Sequence, residues 1–278
     1  MRATFFALAA LLAAPALAQD MTPTAVWGEG RNVLRVATGS PGELGLLEAL
    51  ATDFAKKSDA KIVWFRAGSG AAMKLLQERK VDMALAHAPA AERKAVADGW
   101  ARGRNLFGSN EFWIVGPKSD PAKIAGLDAV AAFRKLAAEG AKTVTRADNS
   151  GTHQKEMEIW KAAAVGRAGD WYIPTRDFMA ARLQRAQKEG AYFLTDSSTF
   201  IAERANTPDL TILVQGGQIL VNPYHTLRLT QPTEGSETAK AFTDYLLSAQ
   251  TQATLRGFGK DRYGEAMYND AAASRAKW

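Results

Sequence analysis

The chain has 278 residues, no cysteine, and 35 Lys and Arg against 29 Asp and Glu, a formal charge of +6 with a sequence pI near 9.5. Without cysteine there is neither a disulfide framework nor a thiolate metal site, so sulfur redox chemistry is excluded and packing alone must hold the fold. The basic residues are dispersed among acidic ones rather than gathered in a run, which argues against a nucleic-acid partner; a mildly positive surface favours encounter with small anions.

The opening residues, MRATFFALAALLAAPALAQD, place Arg2 before an apolar run that ends at Ala16-Leu17-Ala18, the small-residue pattern of an export signal. Residues 1–18 therefore read as a signal peptide that directs the rest of the chain to the periplasm. As a membrane anchor the run is short of the roughly 20 apolar residues a span needs, and it contains Pro15. The remainder, about 260 residues, is long enough for two modest cores or one large one.

Short β-branched or aromatic runs then alternate with stretches of helical period, the pattern of an α/β protein with largely parallel strands. Asn32 to Ala37 (NVLRVA) reads as a strand, and the helix after it carries Leu44, Leu47, Ala51 and Phe54 on one face and ends near Lys57. Lys61 to Arg66 (KIVWFR) is a second strand, followed by a helix with Met73, Leu75 and Leu76 turned inward; Val81 to Ala86 is a third. Glu111 to Val115 (EFWIV) is a strong strand that stops at Gly116-Pro117, ahead of an Ala-rich helix from Leu127 to Glu139. Next come the strand Lys142 to Thr145, helices over Thr152 to Ala164 and Asp177 to Glu189, and the strands Ala191 to Thr195 and Leu210 to Val214. Gly216-Gly217 and Asn222-Pro223 are turn signals flanking a return strand, Thr226 to Leu229, after which the chain reads as mostly helical. Two interior breaks suit a discontinuous architecture: residues 19–115 in a first lobe, 116–221 in a second, 222–278 back in the first, and a ligand cleft between them. A single continuous α/β domain is the alternative.

Three strand-to-helix turns are built alike, from Gly, Ser and Thr: Thr38-Gly39-Ser40, Gly68-Ser69-Gly70 and Ser150-Gly151-Thr152. A helix start leaves backbone N–H groups unpaired and carries partial positive charge, so an anion is stabilised there; Gly permits close approach and the hydroxyls add donors. The plain reading of each turn is a helix cap. Ser40-Pro41-Gly42-Glu43 fits a capping box with Pro at the first helical position, and Glu43 puts a carboxylate where an anion would have to sit unless its side chain turns away. The third turn is sharper, because Arg146 precedes it and a guanidinium can fork two hydrogen bonds onto a tetrahedral anion; its plain reading is a pair with the adjacent Asp148. Repetition favours a common ligand, since in open α/β sheets ligands collect outside the carboxyl ends of the strands.

Other chemistries find less support. GxGxxG and GxxxxGK[ST] are absent, which leaves dinucleotide or ATP binding without a motif. Ser150 lies near His153, but three residues along a new helix give no nucleophile and base geometry and there is no GxSxG elbow, so a serine hydrolase is the weak rival. His87, His153 and His225 have no HxxxH or HExxH spacing and read as structural rather than as metal ligands. No cofactor is called for.

The segments LRVATGSPGELGLLEAL, AGSGAAMKL, DMALAHAPAAE, FWIVGPKSDPAKI, TRADNSGTHQKEMEIWKAA, GDWY, AYFLTDSSTFIA and VNPY, in that order, resemble the tungstate-binding proteins of ABC importers, the TupA family, over nearly all of the chain after the signal. The resemblance implies a two-lobed type II periplasmic binding fold, a monomer rather than an enzyme, with tungstate or molybdate as ligand and an ABC transporter permease as partner. It also implies that Thr38, Gly39, Ser40, Ser69, Gly70, Arg146, Ser150, Gly151 and Thr152 hold the anion. Two departures from the family pattern stand out. Its TTTS tetrad is here Ala37-Thr38-Gly39-Ser40, and its GQGMG-like segment is here Thr175-Arg176-Asp177-Phe178-Met179, where Arg176 either adds a positive charge or faces solvent. The alternative is a phosphate- or sulfate-binding protein of the same fold; sulfate, like tungstate, presents only acceptors, and for phosphate Asp148 or Asp196 offers an acceptor for the proton it retains near neutral pH.

Overall fold

A computed structural model describes residues 21–175 and 177–277, so the expected signal peptide and Arg176 lie outside the described residues. From its start the described chain runs β1 (Ala25–Trp27), β2 (Asn32–Thr38), α1 (Ser40–Glu43), α2 (Leu46–Lys57), β3 (Ala60–Arg66), α3 (Ser69–Gln77), β4 (Met83–Ala86) and α4 (Pro89–Ala97). The period-2 pattern of these strands is two-sided: Val36, Ile62, Trp64, Met83 and Leu85 enter one buried cluster, and Ala37, Val63, Phe65, Ala84 and Ala86 enter another on the opposite face. Against the first face α2 lays Leu46, Leu47, Leu50, Ala51 and Phe54, the stripe its 3.6-residue period creates, and Phe54 meets Phe242 edge-on at 5.1 Å. Each large side chain so buried contributes about 1.5–3 kcal/mol, which makes this sheet a rigid base for its turns.

The chain leaves the first lobe along one strand and returns to it at another. β5 (Ala101–Pro117) is 17 residues long and changes partners along its length. Ala101 to Glu111 pairs with the return strand β10 (Val221–Leu229), while Phe112 to Val115 pairs with β8 (Tyr192–Asp196) in a second sheet, a few residues ahead of the Gly116-Pro117 break. Between these lie α5 (Ala129–Ala138), β6 (Thr143–Thr145), α6 (Gly151–Ala163), β7 (Tyr172–Pro174), α7 (Met179–Glu189), α8 (Ser197–Glu203) and β9 (Leu210–Val214). A separate cluster of Phe112, Ile114, Phe133, Leu136, Trp160 and Tyr192 forms the core of this second lobe. After β10 the chain closes the first lobe with α9 (Ser236–Leu247), α10 (Ala249–Gly257), α11 (Lys260–Tyr263), β11 (Asn269–Asp270) and α12 (Ala271–Lys277).

The sheet order is β1-β3-β2-β4-β10-β5-β8-β6-β7, with β9 and β11 also paired to β5. Parallel pairing is confined to β2 with β3 and β4, and to β6 with β7 and β8. The expectation of largely parallel strands is therefore corrected: β10 and β5 run against their neighbours because they carry the chain between lobes rather than through a strand-helix-strand crossover. The polar first half of β5, ARGRNLFGSN, carries no apolar alternation, and only EFWIV reads as strand from sequence. Among the described residues no helix is long and apolar enough to cross a membrane.

Candidate functional site

β2, β3, β4, β6 and β8 all deliver their carboxyl ends to the junction of the two lobes, and each continues through a short turn into α1, α3, α4, α6 and α8. The three donor-rich turns meet there. A side chain built on Gly70 would lie 2.5 Å from the Asn149 carbonyl oxygen, and one on Gly151 would lie 2.6–2.7 Å from the ring of His87, so these two glycines let backbone of one lobe rest on the other. Gly39 adjoins the same place, with the Ala67 carbonyl oxygen 3.4 Å from where its side chain would start. Arg66, on β3, stacks 4.0 Å above the Phe178 ring, a second contact across the cleft.

The hydroxyls of these turns have different duties. Thr38 is buried and donates to the Leu85 carbonyl oxygen at 3.0 Å, pinning β2 to β4. Ser40 is the first residue of α1 rather than its cap. Gly39 occupies the cap position with no side-chain bond, and the Ser40 hydroxyl reaches across to the Asp196 carboxylate at 3.3 Å. The expected capping box is thus replaced by a contact between lobes, and Glu43 turns toward Arg66 at 3.6 Å, its pKa raised by burial. Ser69 accepts the His87 N–H at 3.0 Å, a role that leaves its hydroxyl proton to donate, while Ser150 accepts the His153 N–H at 3.3 Å and turns its own hydroxyl toward the Asp148 carboxylate. Ser150 is a true cap of the 13-residue α6, whose first N–H groups, at Gly151 and Thr152, have no carbonyl partner within the helix.

Charge is concentrated on the second lobe. Arg146, 5% exposed, donates through Nε and Nη2 to one oxygen of Asp148 at 3.1 and 2.8 Å, while the other oxygen of Asp148 accepts the Ser150 N–H at 3.1 Å. Burial acts to raise the Asp148 pKa, but the Arg146 and Ser150 donors outweigh it and hold the carboxyl below its usual range. On either side of Asp148, Ala147 and Asn149 adopt φ of 45° and 57°; for Ala147 the left-handed region costs about 1–2 kcal/mol, strain of the kind that collects at functional sites.

Behind this turn stands Arg182 of α7, fully buried, on the helix face it shares with Met179, Leu183 and Ala186. It donates to the Thr175 hydroxyl and carbonyl and to the Arg146 carbonyl, and burial together with the Arg146 charge lowers its pKa to about 10. Nothing in the spacing of turns and motifs points to it; the one signal is a charge on the inward stripe of an amphipathic helix. Below the turn, the buried Glu156 accepts from Thr145 at 2.7 Å, Tyr172 at 2.6 Å and Trp160 at 3.2 Å, and burial raises its pKa.

Asp196, the cap of α8, accepts from the Thr199 N–H and hydroxyl at 3.0 and 2.8 Å, from Ser198, from Ser40, and from Asn110 at 3.4 Å. A carboxylate so saturated has little capacity left to accept a ligand proton. His87 lies between Asn222, at 2.9 Å, and Gly151, and stacks on Tyr224; burial lowers its pKa and keeps the ring neutral. His153 accepts the Asn149 N–H at 3.0 Å through Nδ1, and its backbone N–H donates to the Ser150 hydroxyl. Among the described residues no group of three or more His, Asp or Glu is arranged to hold a metal cation.

A family model described as a PBP superfamily domain matches residues 23–250. The chain is 31% identical to the tungstate-binding protein TupA of Peptoclostridium acidaminophilum, over 87% of this chain and 86% of that protein. Among solved structures it is similar to the tungstate-binding protein TupA from Desulfovibrio alaskensis G20, with 35% identity, a TM-score of 0.73, and coverage of 86% of this chain and 98% of that one. It is similar also to the structure described as the tungstate ABC transporter from Geobacter sulfurreducens, with 36% identity, a TM-score of 0.71, and coverage of 80% and 97%.

Proposed function

The chain belongs to the PBP superfamily and, within it, to the TupA family, and on that premise we propose that it captures a tetrahedral oxyanion, tungstate first and molybdate next, and delivers it to the permease of an ABC importer. The observation that carries this reading is the facing of two donor-bearing helix starts, α3 and α6, across the cleft, with the Arg146 guanidinium beside the second. Unpaired N–H groups, the positive ends of two helices, the Ser69 hydroxyl proton and one guanidinium form a set of donors. Tungstate, molybdate and sulfate are fully deprotonated and present only acceptors, which such a set matches. Phosphate retains a proton and profits from an acceptor, and Asp196 is already saturated by the Thr199, Ser198 and Ser40 donors, which favours the fully deprotonated anions.

Capture involves no bond-making. The lobes close over the dianion, binding energy drives the closure, and the closed form docks on the permease. The protein acts as an exported, periplasmic monomer, released by removal of residues 1–18, with no cofactor and no nucleic-acid partner. We place its first lobe in residues 19–115 and 222–278 and its second in 116–221, the end of β5 from Phe112 to Val115 being shared because it pairs into the second sheet. Calorimetric titration of the mature protein against tungstate, molybdate, sulfate and phosphate tests the reading. Saturable binding led by tungstate and molybdate is expected, and heats indistinguishable from dilution with all four anions would overturn it.

A further inference from the structure

The donors that the turn before α6 offers to an anion are not idle. Asp148 takes Arg146 through Nε and Nη2 with one carboxylate oxygen and the Ser150 N–H with the other, so a protein carboxylate sits on the fork and the helix start that an oxyanion would use. Beside it stands the buried Arg182. Its Nη1 lies 3.5 Å from the same Asp148 oxygen, inside ion-pair range yet without a hydrogen bond, and it is a buried nitrogen with no hydrogen-bond partner in the structure. Its long ion pair with Asp148 leaves this buried Nη1 under-satisfied beside the shorter bonds Asp148 makes to Arg146. The remaining nitrogens of Arg182 are fixed on Thr175 and on the Arg146 carbonyl, so the arginine cannot travel to the carboxylate. The carboxylate can travel to it.

We propose that Asp148 is an exchangeable internal counter-anion: a tetrahedral dianion takes over the Arg146 fork and the α6 start, and the displaced Asp148 carboxylate hydrogen-bonds to Nη1 of Arg182. This rests on the oxyanion reading above and adds a selectivity device to it. Two guanidiniums and one carboxylate leave a single net positive charge, so an incoming anion must outcompete a carboxylate for Arg146. A dianion succeeds through its larger charge; a monoanion of the same shape offers the guanidinium no more than Asp148 already does. Arg182 is then a positioning residue that never touches the ligand, and its burial on α7 is what keeps the receiving nitrogen in place.

The test compares tungstate with perrhenate, a tetrahedral monoanion of similar size, by titration calorimetry on the mature wild-type protein, Asp148→Asn, Arg182→Lys and the double variant. Asp148→Asn is expected to raise perrhenate affinity by about tenfold or more and tungstate affinity by less, narrowing the ratio between them, because the competing charge is gone. Arg182→Lys is expected to weaken tungstate several-fold in the wild-type background and to have little effect beside Asp148→Asn, since no carboxylate is left to receive. A purely orienting role for Asp148 gives the opposite result: Asp148→Asn weakens both anions alike and the ratio is unchanged, which would overturn the inference even if Arg182→Lys proves too unstable to measure. Wild-type protein that binds tungstate while Asp148→Asn leaves the ratio unchanged sinks only this inference; wild-type protein that binds neither anion sinks the oxyanion reading beneath it.

Discussion

On the wall of the cleft made by the first lobe, the two leading hydroxyls are tied to the protein itself, Thr38 to the Leu85 carbonyl and Ser40 to Asp196. The facing wall carries Arg146, Asp148 and Arg182 within a few residues of a helix start, and its backbone is held in the left-handed region at Ala147 and Asn149. The first wall carries its charges as the mutual pair Arg66 and Glu43 on a sheet packed on both faces; the second gathers two arginines on one carboxylate and is strained. On the reading proposed above, the difference puts shape recognition on one lobe and charge recognition on the other, so that a ligand would meet its full set of donors only when the two come together. Closure and binding are then one event rather than two.

The comparison breaks most sharply at Arg146. Arg146→Ala removes charge-assisted hydrogen bonds worth about 1.5–3 kcal/mol each, so oxyanion affinity is expected to fall about 100-fold by calorimetry, with a much smaller effect on the melting temperature of the protein without added anion. Equal affinity in this variant would place the recognising charge elsewhere. Next is Gly151→Ala, whose new methyl group would enter the His87 ring at 2.6–2.7 Å if the lobes met as they do here. Oxyanion affinity should fall about tenfold, while the melting temperature holds or rises because Ala is the better helix former by roughly 0.5–1 kcal/mol. Loss of affinity together with loss of stability would show that the contact is core packing and not closure.

Smaller effects sharpen the first wall. Thr38→Val keeps the backbone and removes the hydroxyl bonded to Leu85, so it should cost about 1 kcal/mol of stability in denaturant titration and change affinity less than twofold. A large affinity loss would return the Thr38 hydroxyl to the ligand. The least effect is one of pH. His87 has a pKa lowered by burial, so as the pH falls below 6.5 the unfolded chain takes up this proton more readily than the folded one, and stability declines. Asp148 behaves similarly at lower pH: its depressed pKa contributes stability above the ordinary carboxyl range, and that contribution is lost as the pH falls through the folded value. His87→Gln should flatten the decline between pH 6.5 and 5 in urea titrations, and an unchanged slope would assign it to other groups.

Much of this molecule was legible locally. The alternation of strand and helix from Asn32 onward, the inward stripe of α2 and the cap at Ser150 all follow from period and residue type within a few positions, as does the pairing of Arg146 with Asp148 two residues away. Boundaries slipped where the signal is weak. The polar half of β5, the short β7, and the helices α4 and α8 show no clear apolar period, and tertiary pairing rather than propensity makes them regular.

The amino-acid sequence by itself determined that three turns of Gly, Ser and Thr would start helices at strand ends, because the need for small residues and free N–H groups is a property of each turn alone. Which hydroxyl donates to the protein and which keeps its proton was decided by the tertiary structure. Ser40 finds Asp196 from 156 positions away, and Arg182 comes to lie beside Arg146 across 36, a partner that its place on the inward stripe of α7 does not name. Such pairs depend on which elements pack together, and their energies come from burial, which no local stretch of sequence can express.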